Sequence, residues 1–409
     1  MTSSTVTTVP ASTTTTAAPS TTTTVVTSTT TTSTSIPSEL GGTILRITNG
    51  MGGEAGGQSV GPVISGEGRF IAFSSTAWDL VPGDTNAVAD VFVWDRATES
   101  ITRMTDGSND SVAPTLSTDG RYIAFYSSAW NLVPGDLNGR TDVFVWDATS
   151  GITTRITDGN GNSRTPAISA DGRHVAYLSW ASNLVPEDTD GTDDVFVWDA
   201  ATGSTARITD GYGHDAPAIS ADGRYIAYAA DSSNLVSGDT NGVTDVFVWD
   251  AATGSTTRIT DGNGDSSYPV VSADGRYIAY FSSASNLVSG DTNGVTDVFV
   301  WDAATGSTTR ITDGDDPSHR PSISADGRHV AYNSTAPVLL PGDTIGLTDV
   351  FVWDATTGST TRITDGDDSS WRPSISADGN SITFSSAASN LVPGDTNGVE
   401  DVFVWDRSN

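Results

Sequence analysis

The stretch Tyr268–Thr312 reads YPVVSADGRYIAYFSSASNLVSGDTNGVTDVFVWDAATGSTTRIT and holds four strand-like runs. The runs 269–272 and 276–281 are separated by Ala-Asp-Gly, a tight turn in which the glycine supplies a positive φ. A long loop leads to the run 297–302, and a Thr-Gly turn leads to the run 307–312. The runs favour β-structure because β-branched and aromatic residues dominate them, and no helical period is sustained. We call these predicted strands A, B, C and D.

The same unit recurs along the chain. The string DVFVWD begins at Asp90, Asp142, Asp194, Asp245, Asp297, Asp349 and Asp401, in steps of 51 or 52 residues. Seven tandem four-stranded units of this length are typical of β-propeller blades. In strand C, Val298 and Val300 face one side, and Phe299 and Trp301 face the other. Both faces are apolar, so both must be covered, as they are when blades pack face to face around an axis.

The two ends of the repeat region complement each other. Residues 43–48, TILRIT, form a strand D that no A, B or C precedes, and the last unit stops after its strand C at Asp406. We therefore expect the N-terminal strand to complete the last blade, whose strands A to C span residues 373–406, and so to remove an open sheet edge. The predicted fold is all-β, a seven-bladed propeller of four-stranded antiparallel blades over residues 42–409.

Residues 1–41 are almost entirely Thr, Ser, Ala, Val and Pro, and Glu39 is their only charge. Such a segment buries too little apolar surface to fold, so we predict a disordered stalk, O-glycosylated as on secreted proteins, or a plain linker. No basic segment followed by an apolar one marks a signal peptide. The expected location, secreted or at the cell surface, therefore rests on the stalk alone.

Composition narrows the classes of partner. The chain has 50 acidic residues, 19 arginines, no lysine and no cysteine, for a net charge of −31. This charge disfavours nucleic acid and anionic lipid as partners, and no apolar run approaches the ~20 residues that span a membrane. Acidic D–A loops such as 261–265 should share one face with the B–C loops. That face is either a solvated rim or a surface that supplies further calcium ligands or binds a cationic partner.

The repeat resembles the TolB-type propeller repeat. The resemblance is carried by P-x-I-S-x-D-G-R-x-I-A-Y, then DVFVWD, then T-G-x-T-x-R-I-T, and it covers residues 43–409. It implies a propeller that serves as a protein-interaction platform or accompanies an enzymatic domain. The amino-terminal α/β domain usual in that family is replaced here by the Thr-rich tail.

The long B–C loops carry a pattern of hard oxygen ligands around a glycine turn. Carboxylate and amide oxygens in this arrangement suit calcium, with backbone carbonyls completing the shell. The candidate calcium ligands are Asp84, Asn86, Asp90, Asp136, Asn138, Asp142, Asp188, Asp190, Asp194, Asp239, Asn241, Asp245, Asp291, Asn293, Asp297, Asp343, Asp349, Asp395, Asn397 and Asp401. Ala87 in place of glycine and Ile345 in place of asparagine predict weak or empty sites in blades one and six. The alternative is that Asn-Gly simply forms a turn and the following aspartate caps strand C.

Other repeated residues are expected to be structural. The strand-D arginines lie on the outer strand, and we expect them to pair across it with the aspartates that end strand C. They are Arg46, Arg103, Arg155, Arg207, Arg258, Arg310 and Arg362, and Asp95, Asp147, Asp199, Asp250, Asp302, Asp354 and Asp406. The strand-C tryptophans should be core residues, and His174 and His329 should pack where other blades have tyrosine.

Catalysis finds little support, because the near-identical repeats show no nucleophile elbow, zinc-ligand pair or phosphate loop. We expect a non-enzymatic extracellular binding or adhesion scaffold, stabilised by calcium. One alternative is a lectin-like glycan binder that uses equivalent pockets with Trp130 or Trp180 exposed. Another is a structural envelope or filament protein of a saline habitat. In each case the partner would be a protein or a glycan.

Overall fold

The computed structural model describes residues 41–189, 191–211, 213, 215–336 and 346–408, and the backbone of Val26–Thr27. The stalk or linker predicted for residues 1–41 lies outside the described residues, except for Val26–Thr27 (β1) and Gly41. Three residues of the calcium prediction, Asp190, Asp343 and Ile345, also lie outside them. Within the described residues the chain is all-β, and no helix there is long and apolar enough to cross a membrane.

Seven antiparallel sheets form the blades; six have four strands, and that of blade one has a fifth because β1 joins it. Blades one to three are β5 (Ser59–Ile64), β6 (Phe70–Ser75), β7 (Asp90–Asp95) and β8 (Ser100–Arg103); β9 (Ser111–Leu116), β10 (Tyr122–Ser127), β11 (Asp142–Asp147) and β12 (Ile152–Arg155); and β13 (Ser163–Ile168), β14 (His174–Ser179), β15 (Asp194–Asp199) and β16 (Ser204–Arg207). Blades four and five are β17 (Ala218–Ile219), β18 (Tyr225–Ala230), β19 (Asp245–Asp250) and β20 (Ser255–Arg258); and β21 (Ser266–Val271), β22 (Tyr277–Ser282), β23 (Asp297–Asp302) and β24 (Ser307–Arg310). Blade six is β25 (Ser318–Ile323), β26 (His329–Ser334), β27 (Asp349–Asp354) and β28 (Ser359–Arg362).

The seventh blade confirms the predicted closure. Its strands β29 (Ser370–Ile375), β30 (Ser381–Ser386) and β31 (Asp401–Arg407) are completed by β2 (Gly42–Arg46), which pairs antiparallel with β31. The first and last strands of the propeller therefore share one sheet, with Ile44 opposite Trp405. A short hairpin of β3 (Asn49–Gly50) and β4 (Gly53–Glu54) follows β2, and β1 adds a short antiparallel strand to β8.

The core lies between blades, as the two apolar faces of strand C predict. Val298 and Val300 pack with Tyr332 and Phe351 of the next blade, whereas Phe299 packs with Val246 and Val248 of the preceding one. The last interface is of the same kind, since Val402 and Val404 of blade seven share a cluster with Phe73 and Phe92 of blade one. Every blade is thus covered on both faces.

Two rings of backbone hydrogen bonds tie neighbouring blades together. One face of the ring carries the B–C and D–A loops, and we call it the loop face. There the carbonyl of the residue before strand C accepts a hydrogen bond from a backbone amide at or just before strand A of the next blade. The donor–acceptor pairs are Ser111–Ala89, Ser163–Thr141, Gly213–Asp193, Ser266–Thr244, Ser318–Thr296, Ser370–Thr348 and Ser59–Glu400. On the opposite face the A–B turns are linked likewise, through Thr118–Ala170, Ala170–Ala221, Ala221–Ala273, Ala273–Ala325, Ala325–Ala377, Ala377–Gly66 and Glu67–Thr118. Both rings are closed, so the strands A are held around the axis.

Removal of β2 should open the ring. A chain that begins at Asn49 lacks the partner of β31 and loses the Thr48 hydroxyl, which donates to Asp401 at 2.6 Å. We expect a lower melting temperature than for a chain that begins at Gly41, and self-association through the exposed edge. Circular-dichroism melts and size-exclusion chromatography test this, and equal melting of the two chains would contradict closure by β2.

Candidate functional site

The candidate calcium ligands of the B–C loops surround an arginine of the same blade. In blade four, Nη1 of Arg258 lies 2.8 Å from Oδ1 of Asp239 and 3.3 Å from Oδ2 of Asp245. Its Nη2 lies 2.7 Å from Oδ1 of Asp261, in the D–A loop. The Asn241 side-chain nitrogen donates to Asp245 at 2.8 Å and to the carbonyl of Gly262 at 3.1 Å. We call this group an arginine–carboxylate cluster.

The cluster recurs around the ring. Arg103 contacts Asp84, Asp90 and Asp106; Arg155 contacts Asp136, Asp142 and Asp158; Arg207 contacts Asp188, Asp194 and Asp210; Arg310 contacts Asp291, Asp297 and Asp313; Arg362 contacts Asp349 and Asp365; and Arg46 contacts Glu54, Asp395 and Asp401. The asparagines Asn86, Asn138, Asn293 and Asn397 each donate to the strand-C aspartate of their own blade. The predicted ligands are therefore brought together, but around a guanidinium.

One expectation about these residues was wrong. The strand-D arginines do not pair with the aspartates that end strand C; those mostly pair with the arginine directly before strand B, as Arg224 does with Asp250 at 2.8 Å. The weak calcium site expected in blade one stays a prediction, and Ala87 there takes a positive φ of 58°, as glycine does in other blades. Asn86 accordingly keeps its bond to Asp90, at 2.9 Å.

In this arrangement the residues do not fit a divalent metal. Among the described residues, no group of three or more His, Cys, Asp or Glu side chains could hold a metal ion. Burial raises the pKa of Asp90 to about 6, although bonds from Thr105 and Asn86 and the charge of Arg103 act in the opposite direction. The cation that these buried carboxylates need is already supplied by the chain.

A second group of residues lies at the axis, where the repeats differ from one another. The two residues before the strand-A proline vary from blade to blade: Val60–Gly61, Val112–Ala113, Arg164–Thr165, Asp215–Ala216, Ser267–Tyr268, His319–Arg320 and Trp371–Arg372. Neighbouring strands A contact each other around the ring, so these residues line its inner edge on the side of the loop face. These residues were not predicted from the sequence, because the prediction rested on residues that recur in every blade. The residues at the axis are instead recognised by their variation between blades.

The backbone is bulged at these positions. The pairing of β21 with β22 shifts between Ser267 and Val270, and Tyr268 has a φ of 52°. Arg320 and Arg372 share this left-handed conformation, with φ of 52° and 55°. A positive φ at bulky residues is unfavourable, and persists where the surrounding structure enforces it, often at functional sites. The bulge turns the variable residues out of the regular ladder.

Blades five to seven place aromatic and cationic side chains next to one another here. The guanidinium carbon of Arg320 lies 4.8 Å from the ring centroid of Tyr268, which stacks on Phe281 at 5.5 Å. His319 meets Phe281 edge-on at 4.9 Å. Arg372 and Trp371 lie on the adjacent β29, and both are exposed. We call Tyr268, His319, Arg320, Trp371 and Arg372 the axial cluster.

The arginines of the axial cluster differ from most others in the chain. Within the described residues neither Arg320 nor Arg372 has a carboxylate at ion-pair distance, although acidic residues number 50 and basic ones 19. Nη1 of Arg372 comes within 3.4 Å of where a Cβ on Gly61 would lie, so a side chain there would crowd it. Arg164, in contrast, pairs with Asp193 and stacks over Trp180 at 5.0 Å. Neither guanidinium of the axial cluster therefore forms an ion pair within the described residues, although Arg320 stacks on Tyr268 and the charge of Arg372 acts on Glu400.

Two titratable groups near these cations are shifted in opposite directions. Burial lowers the pKa of His319, and the charge of Arg320 adds to the effect. Burial raises the pKa of Glu400, the residue before strand C of blade seven, while Arg372 acts in the opposite direction. Glu400 also joins the loop-face ring through its carbonyl. Opposite shifts of this kind are typical of acid–base pairs, although burial alone also produces them.

The exposed tryptophans do not form equivalent pockets. Trp78 and Trp130 are 61% and 63% exposed at matching positions of blades one and two, and Trp180 lies two positions earlier in its blade. The strand-C tryptophans are buried or half-buried, as expected. His174 and His329 confirm their packing role, since each lies against the A–B turn glycine of the next blade, Gly223 and Gly379.

Comparison with known proteins shows the fold. No protein-family model and no curated protein matches the chain. An oligogalacturonate lyase from Vibrio parahaemolyticus is similar, with a TM-score of 0.59 and 13% identity over 94% of this chain and 96% of that one. An oligogalacturonate lyase in complex with manganese has a TM-score of 0.58 and 13% identity over 98% and 97%. The propeller domain of the Trilobed protease from Pyrococcus furiosus has a TM-score of 0.60 and 13% identity over 87% and 95%.

TolB from Acinetobacter baumannii is also matched, at 17% identity over 86% of this chain and 79% of that one, with a TM-score of 0.45. The propeller domain with a TM-score of 0.60 confirms the β-propeller fold that the resemblance to the TolB-type repeat implied. The expectation of a non-enzymatic adhesion scaffold is corrected, because the lyases that share this fold over nearly their whole length are enzymes. The same two lyases show that the expectation of a non-enzyme was wrong. That expectation assumed that a propeller of near-identical repeats argues against catalysis.

Each arginine–carboxylate cluster includes a buried threonine whose loss should be measurable. The Thr260 hydroxyl donates to Asp245 at 2.6 Å and accepts from the amide of Val246 at 2.9 Å. Thr260→Val leaves both groups without that partner, and we expect it to lower the free energy of unfolding by ~1–3 kcal/mol. Thr257→Val, at an exposed position of β20 three residues earlier, is the control. Equal urea midpoints for the two variants would show that the bonds contribute nothing.

Proposed function

We propose that the chain binds a carboxylated oligosaccharide at the axial cluster. The observation that carries the proposal is a pair of guanidiniums, those of Arg320 and Arg372, that lie on adjacent strands of the inner ring and form no ion pair within the described residues. Arginine binds carboxylates through two parallel hydrogen bonds, which makes it well suited to this recognition. The exposed Trp371, next to Arg372 on β29, offers aromatic surface, and such rings pack against the apolar faces of sugars.

The asymmetry of the ring supports a single site per chain. Blades five to seven supply the aromatic and cationic residues, whereas blades one and two place Val60, Gly61, Val112 and Ala113 at the same level. A ligand on the axis would therefore meet a charged side and a small apolar side. Two of the similar structures are oligogalacturonate lyases, whose named substrate is a carboxylated saccharide of this class.

The arginines should dominate the affinity. Arg320→Gln and Arg372→Gln should each weaken binding of an oligogalacturonate about tenfold, since a hydrogen bond to a charged group contributes ~1.5–3 kcal/mol. Titration calorimetry measures this, with Arg140→Gln, an exposed loop position, as the control. A neutral oligogalactose of equal length should bind far more weakly. Equal affinity for the two saccharides would contradict recognition of the carboxylates.

Cleavage of the bound saccharide by elimination is a second candidate function, because His319 lies beside Arg320 on β25 and the charge of Arg372 acts on Glu400. The pKa values of His319 and Glu400 are also shifted in opposite directions. Neutral His319 would take the proton from the carbon next to the carboxylate, and protonated Glu400 would give a proton to the departing glycosidic oxygen. One C–H and one C–O bond break, and a C=C bond forms. The arginines would stabilise the charge that develops on the carboxylate.

The pH profile of such cleavage should be bell-shaped and acidic. The rate should rise with pH as His319 loses its proton, below its ordinary pKa of 6.5, and fall as Glu400 loses its proton, above its ordinary pKa of 4.5. Ultraviolet absorbance of the new double bond follows the reaction. His319→Gln and Glu400→Gln should each abolish one limb with most of the rate. If no unsaturated product forms at any pH, the cleavage proposal fails while the binding proposal stands.

Other expectations have less support. One similar structure holds manganese, but calcium in the B–C loops remains a prediction, supported by the oxygen-rich residues and opposed by the guanidinium in each cluster. Secretion remains a proposal that rests on the composition of residues 1–41. A cationic protein partner for the acidic loop face remains a proposal that rests on exposed D–A aspartates such as Asp261.

A further inference from the structure

We propose that the strand-D arginine is the resident cation of the B–C loops that the structure describes, and that it takes the place of a divalent metal. The proposal is independent of the axial cluster. It rests on the recurrence of one arrangement, in which a guanidinium lies between the loop aspartate and the strand-C aspartate. In blade four these are Asp239 and Asp245, both buried, with Arg258 between them.

The orientation of the asparagine supports the guanidinium over a metal. A metal ligand would direct its amide oxygen at the cation, beside the carboxylates. Asn241 instead directs its nitrogen at Asp245 and at the carbonyl of Gly262. Its oxygen accepts from the amide of Val243 at 3.3 Å, which forms the turn that Gly242 continues with a φ of 70°. The asparagine therefore donates into the cluster, and the Asn-Gly pair makes a turn.

The remaining contacts of the carboxylates leave few oxygen positions for a metal. Oδ1 of Asp245 accepts from Thr260, while Oδ2 accepts from Asn241 and faces Arg258. Oδ1 of Asp239 faces Arg258 as well. A metal at this position would have to displace the guanidinium or lie beside its positive charge, and either event is unfavourable.

The clusters also hold the loop-face ring in place. Residue Thr244, directly before Asp245, accepts the hydrogen bond from Ser266 that joins blades four and five. Glu400 has the same position before Asp401, whose carboxylate faces Arg46. The arginine on the outermost strand is thus linked, through one aspartate, to the residues that border the axis. A cation carried by the chain makes this linkage independent of metal supply.

The test compares the wild-type chain with Arg258→Gln and with the matched control Arg224→Gln, whose arginine forms an exposed pair with Asp250. Each is melted in chelator and in millimolar calcium, and bound metal is counted after dialysis. We expect the wild type and the control to melt alike in both buffers and to bind no stoichiometric calcium. We expect Arg258→Gln to melt several degrees lower in chelator, to recover stability with calcium, and to bind one ion per chain.

Arg258→Lys separates charge from folding defects, because it keeps a cation at the cluster. It should remain calcium-independent and melt above Arg258→Gln in chelator. A calcium-dependent rise in the melting temperature of the wild type, with ions bound, would overturn the proposal. So would an Arg258→Gln variant that folds and gains no calcium response, because the arginine would then not occupy a cation site.

Discussion

Each strand C is apolar on both faces, and only a neighbouring blade can cover either face. Phe299 and Val298 point in opposite directions and are both fully buried, one against blade four and the other against blade six. Burial of one such side chain stabilises the folded state by ~1.5–3 kcal/mol. A single blade in water would lack this stabilisation because both of its faces would be exposed. The blades therefore depend on ring closure, and closure depends on β2, which crosses from the start of the chain to its last sheet.

This dependence restricts where the repeats can differ without loss of stability. The side chains of strands B and C pack in the interfaces between blades. The residues before strand C and in the A–B turns form the two rings of backbone hydrogen bonds. Outer-strand arginines such as Arg258 are committed to the carboxylate clusters. The two residues before the strand-A proline have no such role. They are where blades diverge from Val60–Gly61 to Trp371–Arg372, and where a ligand site costs the scaffold least.

The fold could be predicted from the sequence because each pattern of strand and turn residues occurs in seven repeats. Strand C, for example, is found at Asp297–Asp302 as expected. Strand A begins at Ser266, earlier than expected, because the bulge at Tyr268 lets pairing resume on the far side of Pro269. The calcium site was predicted only from residues close in sequence, such as Asp291 and Asp297. Their cation, Arg310, follows later in the chain and reaches them only because strand D returns beside strand C. The axial cluster needed the knowledge that strands A meet at the axis.

A net charge of −31 and an anion-binding axis are compatible because the two act over different distances. Fields of exposed aspartates such as Asp261 and Asp313 are screened over the Debye length, ~8–10 Å at physiological salt. A carboxylate in contact with Arg320 and Arg372 would be partly desolvated, and screening weakens such contacts much less. The acidic loop face therefore lowers the rate at which an anion arrives more than it lowers the strength of the contact. Most other arginines among the described residues pair with a carboxylate, so the axis is where an arriving anion finds guanidiniums outside an ion pair.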